Sequence, residues 1–181
     1  AEVTLLAADS GVTPFDEACS RIWWQLAKKF PDHPIPSACL AATVELRGMA
    51  DVSHKQAQQD AQNIFWFLQR RGFIKGAAPE IPPLPNEATP LRAVEHLQAT
   101  APGVVVFLKA PGDRVDKGEV VAEIVNPLAD EPHNRITPVK SAVSGIVFSI
   151  NTDRYARPGR ILAKIAGKKP IKEKGEDLLS P

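Results

Sequence analysis

Residues 103–165 pass twice through one pattern, and that duplication limits the fold more than any other feature of the chain. Gly103-Val-Val-Val-Phe leads to Val115-Asp-Lys-Gly118 and then to Val121-Ala-Glu-Ile124. Gly145-Ile-Val-Phe-Ser leads to Ala156-Arg-Pro-Gly159 and then to Leu162-Ala-Lys-Ile165. The leading and turn glycines are offset by 42 and 41 positions, and the closing isoleucines by 41. Each pass reads as strand, tight turn, strand, with glycine where the chain must turn. Two such passes are expected to close into a small pseudo-twofold β-sandwich over residues 91–167.

Directly ahead of the repeat the composition changes. Residues 77–90 read Ala-Ala-Pro-Glu-Ile-Pro-Pro-Leu-Pro-Asn-Glu-Ala-Thr-Pro. Prolines at this density exclude helix and central strand, so a stiff, extended linker and a domain boundary are expected.

Residues 1–76 carry other periods. Ala1–Ala8 is strand-like. Thr13-Pro14-Phe15-Asp16 is a helix-start signature, and Ala18, Ile22, Leu26 and Phe30 follow at helical spacing until Pro31. Trp23 and Trp24 within that helix are expected to pack in or at the edge of a core. Cys39–Leu46 reads as a short apolar strand carrying one carboxylate, Glu45, and Arg47-Gly48 leaves it. Ser53 and Gln56 form an S-x-x-Q box opening a second helix, with Ala57, Ala61, Ile64, Phe65 and Leu68 on one face and Gly72 as its cap. Strand-helix-strand-helix predicts an α/β layer with parallel pairing. Such a layer needs more strands than these to cover itself. Together with an opening on Ala1, inside a strand, this makes residues 1–76 the expected remnant of a longer α/β domain. The lysine-rich tail, residues 168–181, is expected to be mobile.

Charge and composition narrow the function. Of 181 residues, 22 are Lys or Arg and 21 are Asp or Glu, which leaves no basic excess of the sort nucleic acid selects. No apolar run approaches the roughly 20 residues of a membrane span, and no secretory leader is visible. Cys19 and Cys39 make no disulfide scaffold and are expected to be buried thiols. A cytoplasmic globular protein follows.

The duplicated β module resembles the barrel-sandwich hybrid fold of lipoyl and biotinyl carrier domains. Those domains carry a modified lysine on the hairpin joining the two halves. Here the midpoint is His133-Asn134-Arg135, and Lys140 lies where a strand should begin, so a carrier role is not expected. The order of modules is more specific. Thr43-Val-Glu-Leu-Arg-Gly48, a helix, a proline linker and Gly103…Pro111-Gly-Asp-Arg-Val-Asp-Lys-Gly118 together resemble the C-terminal half of the succinylglutamate desuccinylase/aspartoacylase family, over about residues 1–167. That family belongs to the zinc carboxypeptidase-like hydrolases. The resemblance implies a carboxypeptidase-like α/β part followed by a barrel-sandwich hybrid, and hydrolysis of the amide bond of an N-acyl amino acid or similar small molecule.

By the same resemblance Glu45 is the general base, taking the proton of a zinc-polarised water and returning it to the leaving amine. Arg47 is implied to bind a substrate carboxylate or aid the oxyanion, with a solvated surface charge the competing reading. Tyr155, the only tyrosine, is implied as a substrate contact, with packing or a turn role as the alternative. The family's zinc ligands, a His-x-x-Glu pair and a later histidine, precede the Thr-Val-Glu-Leu strand. His33, His54, His96 and His133 are followed three positions on by Pro36, Ala57, Ala99 and Ile136, so none opens that motif, and zinc ligands are not expected in this chain. The 181 residues are therefore expected to be incomplete as an enzyme. A non-catalytic binding or assembly module remains the alternative, and a homo-oligomer is compatible with either.

Overall fold

In the computed structural model, residues 3–6 and 18–171 are described. The chain divides into two compact units, one comprising Ala1–Phe15 and Pro85–Pro181, the other Asp16–Leu84. Helix and antiparallel sheet are mixed along the sequence, consistent with an α/β chain.

The first unit is built by the duplication. Strand β1 (Leu5–Leu6) pairs in parallel with β2 (Thr89–Pro90). The first copy of the repeat then supplies β3 (Val94–Gln98), β4 (Gly103–Phe107), β5 (Arg114–Val115) and β6 (Val120–Val125). The second supplies β7 (Ile136–Lys140), β8 (Gly145–Ile150), β9 (Tyr155–Ala156) and β10 (Ile161–Gly167). They form two four-stranded antiparallel sheets, β3-β10-β8-β5 and β7-β6-β4-β9. Exchanging β3 for β7, β4 for β8, β5 for β9 and β6 for β10 turns one order into the other. Each sheet holds two strands from each copy, so neither copy can form its sheet alone.

The hydrogen bonds between the copies repeat under the same exchange. Gly118 N–H donates to Ser141 O at 2.7 Å, and Gly159 N–H to Ala99 O at 2.8 Å. Ala99 N–H donates to Arg160 O at 2.9 Å, and Ser141 N–H to Glu119 O at 3.0 Å. Both turn glycines stand in the left-handed region, at φ 89° and 84°. The leading glycines share a different constraint. A Cβ on Gly103 would lie 2.5 Å from Val125 O, and one on Gly145 would lie 2.3 Å from Ala166 O. Only glycine admits that approach of backbone to backbone.

Between the sheets lies one apolar core. Val105, Ile124, Val147, Leu162 and Ile165 are enclosed in it, drawn from both sheets and both copies. Each such aliphatic side chain contributes roughly 1.5–3 kcal/mol of burial free energy. A polar tie joins the sheets at one end. Glu95 of β3 is buried, accepting from Ser141 Oγ at 2.7 Å and from Ala142 N–H at 2.8 Å, just beyond β7. Both carboxylate oxygens are thereby satisfied.

The second unit holds α1 (Ala18–Lys29) and α2 (His54–Arg70). The start expected at Thr13–Asp16 lies outside the described residues. The second helix opens as its sequence predicts. Ser53 is its N-cap, and its hydroxyl accepts from Gln56 N–H at 3.2 Å. The box is not reciprocal, since the Gln56 side chain meets the Ser53 hydroxyl itself, at 2.9 Å. At the other end Gly72 N–H donates to Gln69 O and Phe73 N–H to Leu68 O, the paired closure of a Schellman turn.

Three sequence expectations fail in this unit. Cys39–Leu46 forms no strand, because no other strand among the described residues of the unit offers it a ladder. Among the described residues the only parallel pairing is the two-residue contact of β1 with β2, in the other unit, and no parallel layer is found among those of this one. Neither helix buries a residue; Trp24, Ile64 and Phe65 are exposed, as is Cys19, while Cys39 is half-buried. Apolar periodicity creates a face, but a second layer must meet it before the face is buried. Of the tail, residues 168–171 are described, and Ile171 N–H is held by Arg92 O at 3.0 Å.

Candidate functional site

The residues implied as catalytic or substrate-binding fall in both units. Glu45 lies in the irregular segment between the helices. Its carboxylate is exposed and makes no hydrogen bond or ion pair among the described residues.

Arg47 stands just beyond the Cys39–Leu46 segment. An extended strand would put it on the same face as Glu45, two residues away. Instead Arg47 has φ 68°, the one non-glycine residue in the left-handed region among those described, so the alternation ends there. Asp51 holds the turn, accepting from Gly48 N–H at 3.0 Å. The Arg47 guanidinium then reaches α2, where it donates to and pairs with Asp60. That hydrogen bond raises the arginine's pKa above its ordinary value, opposed by desolvation and aided by the nearby charges of Asp60 and Asp51. Arg47 is thus an exposed, charged side chain tied to Asp60.

The turn brings Arg47 to a shallow cleft of about 380 Å³ at the start of α2, which it lines with Ser53, Lys55, Gln56 and Gln59. Lys55 and the N-terminus of α2 give the cleft positive character, while Arg47 at its edge is already paired with Asp60. A second shallow cleft of about 240 Å³ adjoins it, between Lys55, Gln59 and Trp66. Neither Asp60 nor Lys55 was singled out by the sequence. Asp60 is 13 residues from Arg47, a separation that no helix or strand period connects.

Tyr155 stands in β9, opposite Val104 of β4, with its ring exposed. The Arg157 guanidinium lies 5.9 Å from the ring centroid. Tyr155 therefore does not pack into the core; its partner in the strand, Ala156, does that. The midpoint His133-Asn134-Arg135 falls in the loop between β6 and β7, where residues Pro132–Asn134 make a 3₁₀ turn. Lys140 closes β7, in register with Val120.

Among the described residues no three His, Cys, Asp or Glu side chains are gathered where they could hold a metal ion. No described helix is long and apolar enough to cross a membrane.

No family model and no curated protein matches the sequence. Solved structures do. The chain is similar to a succinylglutamate desuccinylase/aspartoacylase family protein from Shewanella amazonensis SB2B, at 22% identity and TM-score 0.79 over 91% of this chain and 45% of that one. A succinylglutamate desuccinylase/aspartoacylase from Shewanella frigidimarina NCIMB 400 matches at 19% identity and TM-score 0.76 over the same shares. The product-bound Ectoine utilization protein EutE (DoeB) from Ruegeria pomeroyi matches more distantly, at 18% identity and TM-score 0.54, over 69% of this chain and 37% of that one. At these identities the likeness is one of fold. It agrees with the resemblance read from the order of modules, and the chain spans less than half the length of each of these proteins.

Proposed function

We propose that the chain is the C-terminal portion of a zinc-dependent deacylase that hydrolyses the amide bond of an N-acyl amino acid or a similar small substrate. In this reading the Asp16–Leu84 unit belongs to a carboxypeptidase-like α/β region, and the duplicated sandwich is a barrel-sandwich hybrid. The observation that supports it most is the extent of the fold likeness. It covers 91% of the chain, across both units, in two succinylglutamate desuccinylase/aspartoacylase structures. The free carboxylate of Glu45, inside Thr43-Val-Glu-Leu46, is the second support. Two unpaired cysteines suit a reducing cytoplasm.

Zinc does not fit the described residues, which bring together no ligand set; in this proposal its ligands belong to polypeptide outside them. The roles assigned here are those of the chain's own side chains. Amide hydrolysis needs a group that takes a proton from the attacking water and gives one to the departing amine. Glu45 is assigned both transfers. Arg47, fixed by Asp60 and charged throughout the accessible pH range, is assigned to a substrate carboxylate, with Lys55 beside it in the same cleft. Tyr155 offers an exposed phenol as a substrate hydrogen-bond partner.

The test is zinc content and turnover in two proteins: the 181-residue chain, and the same chain extended upstream in its reading frame through a His-x-x-Glu pair. Zinc near one per chain is expected only in the longer protein. There Glu45→Gln should cost about 10²–10⁴-fold in hydrolysis of acylated amino acids while zinc is retained. Near-normal turnover in that variant would remove Glu45 from the mechanism. Stoichiometric zinc in the shorter chain would overturn the placing of the ligands.

A further inference from the structure

Glu45 makes no hydrogen bond or ion pair among the described residues, so its direction is that of the backbone that carries it. Among the described residues of the Asp16–Leu84 unit no strand pairs with that backbone. Its fixed points lie just downstream. Gly48 N–H donates to Asp51 Oδ2 and Asp51 N–H to Gly48 O, both at 3.0 Å, and Val52 N–H donates to Ala50 O at 3.0 Å. The turn they close runs into Ser53, the N-cap of α2. At its upstream end stands Arg47, whose guanidinium donates to Asp60 in the second turn of the same helix. The segment between Glu45 and α2 is therefore closed on the helix twice, by the Ser53 cap and by the Arg47–Asp60 pair.

The residue types there cost more than a turn alone requires. Arg47 occupies the left-handed position at φ 68°, while Gly48, which would adopt it without strain, stands one place later and outside that region. Gly48 has its own reason to be a glycine, since a Cβ there would crowd Asp51 Oδ2 at 3.3 Å. A glycine at position 47 would relax the backbone but could not reach α2. The chain keeps a strained residue whose side chain makes the tie. An ion pair this open to water, with side chains 37% and 17% exposed, adds little to global stability. Its effect is local, on backbone two residues from Glu45.

We propose that Asp60 is a positioning residue for the hydrolysis. By holding Arg47 to α2 it fixes the left-handed turn, and through that turn the direction in which Glu45 presents its carboxylate. The inference rests on the assignment of Glu45 as the base, and it is separate from any contact of Arg47 with substrate. A base must stand within hydrogen-bond reach of the water it deprotonates, and a displacement of about 1 Å costs roughly 10²-fold in rate.

Steady-state hydrolysis of an acylated amino acid by the upstream-extended protein tests this. Asp60→Ala, an exchange that a helix interior favours, should lower kcat roughly tenfold or more, with KM and zinc content little changed. Asp60→Glu, which keeps a carboxylate for Arg47, should recover much of the loss. In the 181-residue chain the Asp51 and Val52 amides should exchange with solvent faster in Asp60→Ala, with the sandwich amides unchanged. The proposal is overturned if Asp60→Ala leaves kcat intact while Glu45→Gln slows it, or if Asp60→Ala raises KM alone. It is equally overturned if Asp60→Glu is no better than Asp60→Ala, or if the two amides exchange as in the wild type. Normal turnover in Glu45→Gln is a different failure: it removes the assignment of the base, and this inference with it.

Discussion

Ile165 of β10 is wholly enclosed between two sheets, whereas Ile64 of α2 stands half in water. Both belong to regular elements with a well-formed apolar period, so the period does not explain the difference. The strands of the duplicated unit meet a second copy of themselves within the same chain, and every inward row finds an opposing row. The helices of the Asp16–Leu84 unit carry an apolar stripe of which no residue is fully buried. Duplication lets the first region complete its own core. In the second, no second layer encloses the stripe among the described residues.

The hardest way to break that contrast is at the point where the copies touch. Gly145→Ala forces a Cβ to within 2.3 Å of Ala166 O, and should destabilise the sandwich by several kcal/mol or prevent its folding. Ile165→Ala should cost about 2–5 kcal/mol by the cavity it leaves. Phe65→Ala, on the exposed stripe of α2, should change stability by less than about 0.5 kcal/mol. Thermal unfolding of the three variants measures all of this. A loss at Phe65 equal to that at Ile165 would show that the helical face is covered.

Next in size is the polar tie. Ser141→Ala leaves Glu95 Oε2 without its hydroxyl donor in a buried site, and about 1–3 kcal/mol should be lost in the same measurement. Its counterpart in the helical unit is smaller and local. Ser53→Ala removes the N-cap of α2 and should cost about 1 kcal/mol, seen as faster hydrogen exchange in the first turn of α2 with the β-strand amides unchanged.

The smallest effect is electrostatic. Lys109 Nζ lies 2.5 Å from Glu119 Oε1 in the exposed turn before β6, and Asp116 N–H also donates to that carboxylate. These bonds, the lysine's first, lower the pKa of Glu119 below its ordinary 4.5 and raise that of Lys109 above its ordinary 10.5. A carboxylate with a lowered folded-state pKa stabilises the fold above its unfolded value and loses that contribution as the pH falls through the folded one. Stability should therefore decline from about pH 4.5 downward, and the lysine's share should fade above about pH 10.5. Glu119→Gln should flatten the acid limb of a melting-temperature profile and also remove the loss above about pH 10.5, because Lys109 loses its partner.

Much of this was legible in the residues. Glycines at a fixed offset gave the two β passes and their turns, because a close backbone approach or a left-handed turn admits little else. Ser53 and Gly72 marked the ends of α2 for equally local reasons. Glu45 could be singled out because it interrupts an apolar run within a motif-like segment. What was not legible were contacts between distant parts of the chain. The Arg47–Asp60 pair rests on a left-handed residue that no pattern announces. The burial of Glu95 depends on Ser141, 46 positions away. Cys39–Leu46 has the composition of a strand, yet a strand exists only where another chain segment accepts its hydrogen bonds.

By itself the sequence determined the elements of the duplicated unit, the helix ends and the absence of a His-x-x-Glu pair. These depend on local backbone geometry and on the order of residue types. Only the tertiary structure decided that the two copies exchange strands between sheets, that Glu95 meets Ser141 across them, and that no residue of either helix is fully buried. Burial is a property of two surfaces meeting, and a sequence period describes only one of them.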